Sequence, residues 1–148
     1  MSETKTETQQ QPTVDQTEEP RTVAGMTAAE VAMEGRRLAT SYLERRGYAV
    51  LERDWRCAAG EVDAVAEDEG APVLVLVRTA RRLGEDSDSM PELAIDKAEQ
   101  ARCRRLALLW LAAHPEAEGV RVDVIALNIV GERCARLRHL IGAYSWEE

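Results

Sequence analysis

The sequence predicts an α/β fold in which a mixed sheet of about five strands is flanked by helices. Two segments carry apolar residues at helical spacing, and each has a recognisable start or stop signal. Five other segments are short and either alternate between apolar and polar residues or are continuously apolar, which is typical of strands. Their order along the chain is helix, three strands, helix, two strands. That order favours a single sheet with helices packed against it.

The predicted domain begins at Thr27 and extends to the end of the chain at residue 148. Residues 1–26 are rich in Glu, Thr, Gln and Pro, with few apolar side chains, so we expect a disordered tail. Thr27 and Glu30 form a capping box, in which each side chain satisfies an unpaired backbone N–H at the start of a helix. Apolar residues then recur at helical spacing up to Arg45 and Arg46, and Gly47 is the predicted stop.

Three strands are predicted next, at about residues 48–55, 61–67 and 73–77. In the second strand the alternation places Val62, Ala64 and Ala66 on one face and Asp63 on the other. The third strand is a continuous apolar run that leads directly into Arg78, as expected for a strand covered on both faces. Residues 68–72 have the composition of a tight turn, so the two strands should be neighbours.

The second half of the domain contains one helix and two strands. We predict a mobile polar loop over residues 81–91, and then a helix over about 91–113 that ends before Pro115. The last two strands are expected at about 120–128 and 134–140, separated by a turn at Gly131.

Composition limits the range of functions. The formal net charge is −8, the wrong sign for a protein that binds nucleic acid over its whole surface, so any such binding must use a local basic patch. No apolar run approaches the roughly 20 residues of a membrane span, and the N-terminus lacks a secretion signal. We therefore expect a cytoplasmic protein without membrane contact. The three cysteines do not have zinc-ligand spacing, and no small-molecule substrate is evident.

Several short motifs follow one another along the chain. They are Arg37-Leu38-Ala39 with Tyr42-Leu43 and Gly47-Tyr48, Trp55-Arg56, Gly60-Glu61-Val62-Asp63, the apolar third strand, Arg121-Val122-Asp123-Val124, and His139 to Tyr144. In type and order these motifs resemble the YraN family, also catalogued as UPF0102, and the resemblance covers roughly residues 32–144. It implies a restriction-endonuclease-like fold related to the archaeal Holliday-junction resolvases.

The resemblance implies a metal site made from an acid on the first helix, the Asp of the Gly-Glu-Ile-Asp motif, and a Glu-x-Lys pair on the third strand. In this sequence only the Asp, Asp63, and the neighbouring Glu61 are kept. The helix acid is replaced by Arg36, and the Glu-x-Lys pair by Leu76 and Arg78. Leucine cannot ligate a metal, and arginine cannot act as a base. Because Mg²⁺ prefers several oxygen ligands, we expect a degenerate site that holds no metal and uses no cofactor.

Two ion pairs are predicted in place of the metal. Asp63 is expected to pair with Arg78 across neighbouring strands. Arg36 is expected to pair with Glu99 on the second helix, at the position where the resemblance implies a lysine; a shift of two residues would place that lysine at Lys97.

A phosphate-binding rim beside this site is a further expectation. Its residues would be Arg78, Arg81, Arg82, Arg102, Arg104 and Arg105. The alternative is that these arginines are solvated charges that balance the many acids. Trp55 and Trp146 could stack on bases, or they could pack in the core or at the sheet edge.

Three functions stay open. The first is a catalytically silent, pseudoenzyme member of an endonuclease-like family that binds DNA or a DNA-processing protein. The second is an active Mg²⁺-dependent nuclease with relocated acids, such as Glu61 and Asp63 with Glu85, Asp86 or Asp88. The third is a protein-interaction module that has lost nucleic-acid binding. The sequence does not indicate an oligomeric state.

Overall fold

The computed structural model describes residues 22–83 and 96–143 and confirms the predicted α/β class. One five-stranded mixed sheet has the spatial order β1-β2-β3-β4-β5. Neighbouring strands are antiparallel, apart from β3 and β4, which are parallel and connected through the second helix. The elements are α1 (Ala28–Arg45), β1 (Ala49–Cys57), β2 (Gly60–Asp68), β3 (Ala71–Arg81), α2 (Lys97–Ala113), β4 (Arg121–Gly131) and β5 (Cys134–Leu140).

The two helices cover opposite faces of the sheet, and each face has its own core. On one face Ala39 and Leu43 of α1 pack on Val75 and Ile125. On the other face the buried side of α2, which includes Leu106 and Trp110, packs on strand residues of the opposite pleat. Central strands with two covered faces must be apolar throughout, which is why β3 and β4 carry almost continuous apolar runs. Neither described helix has the length and apolar character required to cross a membrane.

The start and stop signals of α1 function as predicted. Thr27 accepts a hydrogen bond from the Glu30 N–H at 3.1 Å, and Glu30 accepts one from the Thr27 N–H at 2.8 Å. Gly47 follows the helix with a φ of 94°, a conformation that glycine adopts without strain. Within the helix, Gly35 allows a close approach to β3: a Cβ at this position would lie 2.8 Å from Thr79 Cβ and closer still to Thr79 Oγ1.

Several boundaries differ from the predictions. Strand β3 continues past Val77 to Arg81, because the parallel partner β4 pairs with it along this length. Helix α2 begins at Lys97, since Asp96 caps it by accepting the Glu99 N–H. The predicted loop, apart from its first residues, and the predicted first turns of this helix lie in residues 84–95, outside the described part.

Residues 22–26, which were predicted to belong to the tail, pack against the domain. Val23–Gly25 forms a 3₁₀ turn with Val23 buried against Val31 and Ile129. Arg81 donates to the carbonyl oxygens of Val23 and Met26 at 3.0 and 2.7 Å. The apolar Val23 and these two bonds explain why the packed region begins earlier than composition suggested. The remainder of the predicted tail lies outside the described residues.

Candidate functional site

The candidate site begins at an irregularity where β1 and β2 change the face to which their side chains point. Val62 belongs to the core under α2, whereas Ala64 belongs to the core under α1. The predicted alternation, which placed both on one face, is therefore wrong at Asp63. On the neighbouring strand β1, between the residues that pair with Ala64 and Val62, Asp54 has a φ of 64°. Such a conformation is uncommon for a residue other than glycine and is frequent near functional sites.

At the same position β2 separates from β3. The paired register of these strands runs from Asp68↔Ala71 to Ala64↔Val75 and includes no residue before Ala64. Beyond that point a side chain replaces the ladder, because Asp63 Oδ2 accepts a hydrogen bond from the Val77 N–H at 2.8 Å. Asp63 thus lies at a fork in the sheet, and its position is fixed by the backbone of β3.

The cation next to Asp63 is Arg36. Its Nη1 lies 3.9 Å from Asp63 Oδ1, and 47% of the Arg36 side chain is exposed against 23% for Asp63. Burial is the main cause that raises the pKa of Asp63, while the Val77 N–H and Arg36 lower it in part. The carboxylate is therefore only partly compensated in its charged form.

Leu76 and Arg78 are directed toward the other helix. Leu76 packs against the core under α2, and Arg78 forms an ion pair with Glu99 of α2. Both predicted ion pairs are therefore wrong. The same four residues are paired differently from the prediction: Arg36 lies beside Asp63, and Arg78 is bonded to Glu99. The physical reason is the two-sided sheet: Arg36 comes from α1 and Glu99 from α2, so they approach from opposite faces.

The groove beside Asp63 has a volume of about 310 Å³ and lies between α1 and strands β1 and β2. Its charged lining residues are Arg36, Arg37, Glu44, Arg53, Asp54 and Asp63. In the described part of the chain, no three His, Cys, Asp or Glu side chains gather as metal ligands. With a guanidinium on one side of Asp63 and an aliphatic Leu76 on the next strand, these residues do not fit a Mg²⁺ ion, which requires several oxygen ligands.

Comparison with known proteins identifies the family. The sequence model of the uncharacterised protein family UPF0102 matches residues 35–127. This chain belongs to the UPF0102 family. A UPF0102 protein of Mycobacterium avium is 36% identical over 118 residues, which cover 79% of this chain and 91% of the relative. Another from Beutenbergia cavernae is 42% identical over 109 residues, covering 73% and 90%, and one from Roseiflexus castenholzii is 46% identical over 97 residues, covering 64% and 76%.

The arginines of the predicted phosphate-binding rim of this UPF0102 chain lie at the end of β3 and on α2. Arg81 holds the N-terminal turn, and the backbone N–H of Arg82 bonds to the Ile129 carbonyl. Arg102 lies over Gly60 at the start of β2, since a Cβ on this glycine would be 3.1 Å from Arg102 Nη2. Arg105 is exposed on α2. Arg102 therefore lies beside the motif that contains Asp63.

Of the acids proposed for a relocated metal site, the structure describes Glu61 and Asp63, and the charge of Glu61 contributes to the raised pKa of Asp63. Glu61 lies 4.0 Å from Arg56, which also bonds to Asp54. Glu85, Asp86 and Asp88 lie outside the described residues, as does Trp146. Trp55, offered for base stacking or for packing, is partly buried against the core under α2.

An extensive polar cluster around Asp123, among the residues that the structure describes, had no predicted role in this UPF0102 chain. Asp123 is 0% exposed and receives a bidentate pair from Arg121 at 2.8 and 3.0 Å and the Gly142 N–H at 3.1 Å. His139 Nε2 lies 2.8 Å from Asp123 Oδ2 and Nδ1 lies 3.0 Å from the Tyr42 hydroxyl. Since a carboxylate only accepts, Nε2 donates and Nδ1 of a neutral ring accepts from Tyr42. The feature of the sequence that could have indicated this cluster is Asp123 itself, an acid within an otherwise apolar strand.

Proposed function

We propose that this UPF0102 chain binds the phosphate backbone of nucleic acid at the fork around Asp63 and does not hydrolyse it. The observation that carries the proposal is that two arginines approach the Gly60–Asp63 segment from opposite faces. Arg36 comes from α1 and Arg102 from α2. Guanidinium groups bind phosphate oxygens with matching planar geometry, so the pair forms a cationic clamp around one short segment.

Two further arginines extend this surface. Arg53 is exposed beside Asp63 in the groove under α1, and Arg105 is exposed one turn beyond Arg102. Neither these two nor Arg102 makes an ion pair or side-chain hydrogen bond with a residue that the structure describes. Helix α2 has no acidic residue between Gln100 and Ala113. A local basic strip of this kind reconciles phosphate binding with a chain whose net charge is −8.

The chemistry at Asp63 favours binding without hydrolysis. Metal-assisted hydrolysis requires anionic ligands that hold the ion which activates water. Asp63 instead has a guanidinium beside it, Leu76 is packed into a core, and Arg78 is bonded to Glu99. The proposed activity is therefore recognition of the backbone, with DNA as the proposed partner and no cofactor.

The test is a salt titration of binding to fluorescently labelled single-stranded, duplex and four-way-junction DNA. Affinity should fall steeply with salt, because each neutralised phosphate releases counterions. Arg36→Glu and Arg102→Glu should each weaken binding by about tenfold or more at low salt and reduce the salt slope by about 0.7–0.9 per lost phosphate contact. The matched control is Arg133→Glu, an exposed arginine in the turn between β4 and β5, which should change affinity by less than about twofold.

Three outcomes would reject the proposal. They are an affinity that does not change with salt, equal losses in the control and in the two test variants, and cleavage in Mg²⁺ or Mn²⁺ that disappears in Asp63→Ala. The last result would establish the active nuclease with relocated acids.

A further inference from the structure

A second concave surface lies near the turn between β2 and β3 and is separate from the fork. It is a groove of about 800 Å³ between the ends of strands β1 to β3 and the connection from α2 to β4. This volume is within the range of protein sites that bind a ligand. None of its lining residues lines the groove beside Asp63.

The rim of this groove is acidic. Four carboxylates line it, and none makes a hydrogen bond or ion pair with the part of the chain that the structure describes; they are Glu52, Glu67, Glu116 and Glu118. Arg121 also lines the groove, but its guanidinium is bonded to Asp123 and Asp68. The groove therefore has a surplus of unpaired negative charge.

The C-terminal end of α2 adds to this negative potential. The last turn of the helix contains no basic residue, and His114, which follows it, lines the groove. The carbonyl end of a helix carries a partial negative charge that a cation stabilises. The helix end and the four carboxylates therefore favour the same kind of occupant.

The floor of the groove is apolar and partly unsatisfied. Leu51, in the irregular part of edge strand β1, is 57% exposed. Trp110 is 6% exposed, stacks on His114 with ring centroids 4.0 Å apart, and its indole N–H has no acceptor among the described residues.

We propose that this groove binds a peptide segment of a partner protein that carries lysine or arginine residues together with an aliphatic side chain. The basic residues would pair with the rim carboxylates, and the aliphatic side chain would cover Leu51. A peptide is favoured over a small polycation because a polyamine would leave the exposed leucine in water. Nucleic acid is repelled by the same carboxylates, so this surface and the proposed phosphate-binding surface would act on different partners.

The test begins with a phage-displayed library of random peptides selected on the full chain. Enriched peptides should contain lysine or arginine near leucine, isoleucine or valine. Binding of one enriched, labelled peptide should weaken by about tenfold or more in the double variant Glu116→Lys/Glu118→Lys, because like charges then oppose each other. Leu51→Ser should weaken it by about threefold to tenfold. Perturbation of the Gly70 and Gly119 amide signals in NMR spectra should locate the bound peptide.

The control is Glu44→Lys, a charge reversal at an exposed position of α1 outside this groove that makes half the charge change of the double variant, and it should leave peptide affinity within about twofold. Equal weakening in the control would show general attraction to an acidic protein and would overturn the proposal. So would selection of peptides without basic residues. If spermine displaces the peptide and a leucine-free version of the peptide binds equally well, the groove binds small polycations and the peptide proposal is wrong.

Discussion

Asp63 and Asp123 are two aspartates on strands of one sheet, and they differ in how many partners hold them. Asp123 is completely buried and has donors from Arg121, His139 and the Gly142 backbone. Asp63 is partly exposed and has one backbone donor and one arginine at 3.9 Å. Of these two carboxylates, Asp123 is therefore fully satisfied and Asp63 only partly satisfied.

The pKa values of the two groups shift in opposite directions for this reason. Burial raises the pKa of Asp123, but the hydrogen bonds from His139, Arg121 and the Gly142 N–H outweigh it and hold the pKa below its usual range. At Asp63 burial is the largest effect and raises the pKa. A carboxylate in a structural network is thus stabilised in its charged form, whereas the one at the fork is available to interact with a ligand or its arginine.

The largest effect is expected for Asp123→Asn, which should lower the free energy of unfolding by about 3–5 kcal/mol at pH 7, because it removes the fully buried charge to which Arg121, His139 and the Gly142 N–H all donate. Since the folded pKa is lowered, the stabilisation by Asp123 is complete above the unfolded pKa of about 3.9 and is lost as the pH falls through the folded value. Urea denaturation at a series of pH values measures this. A loss below about 1 kcal/mol at pH 7 would contradict the structural role.

Gly35→Ala should have the next largest effect. We expect it to lower the free energy of unfolding by about 1–3 kcal/mol because it overpacks the contact between α1 and β3. The added methyl would collide with Thr79 and displace α1, and with it Arg36, from the fork. Thermal or urea unfolding measures the loss. Thr79→Ala in the same chain should recover part of it by removing the atoms in closest contact, and a double variant no more stable than Gly35→Ala would argue against this contact.

Asp63→Asn should change the free energy of unfolding in the opposite direction to Asp123→Asn. Because burial raises the folded pKa of Asp63, the folded state favours the protonated group, and the charged group reduces stability as the pH rises through that value. The variant should therefore be more stable than the parent by about 0.5–1 kcal/mol at pH 7, with the gain absent below the unfolded pKa of about 3.9. If Asp63→Asn is less stable than the parent at pH 7, the charged Asp63 stabilises the fold as Asp123 does, and the contrast between the two aspartates is wrong.

Arg36→Gln should have the smallest effect on stability, a change below about 0.5 kcal/mol, since a half-exposed pair contributes little. The comparison variant is Arg121→Gln, which should cost several times more because Arg121 bonds to a buried carboxylate. Urea denaturation of the two variants at neutral pH measures both losses in the free energy of unfolding and therefore their ratio. Similar losses for the two arginines would remove the distinction between the fork and the network.

Local signals in the sequence predicted much of the fold. The capping box at Thr27, the stop at Gly47 and the last strand at 134–140 are all confirmed, because each depends on neighbouring residues alone. The partners at the site were not predicted, since they depend on which helix covers which face. The fork itself was missed because the positive φ that marks it belongs to Asp54, and no glycine indicates it.

The most direct test of the account is a Mn²⁺ titration followed through the Val77 amide signal, because this N–H donates to the Asp63 carboxylate. With Arg36 beside Asp63 and no cluster of three metal-ligating side chains among the described residues, the account predicts no saturable broadening of this signal up to millimolar Mn²⁺. Saturable broadening at Val77 that disappears in Asp63→Asn would contradict it.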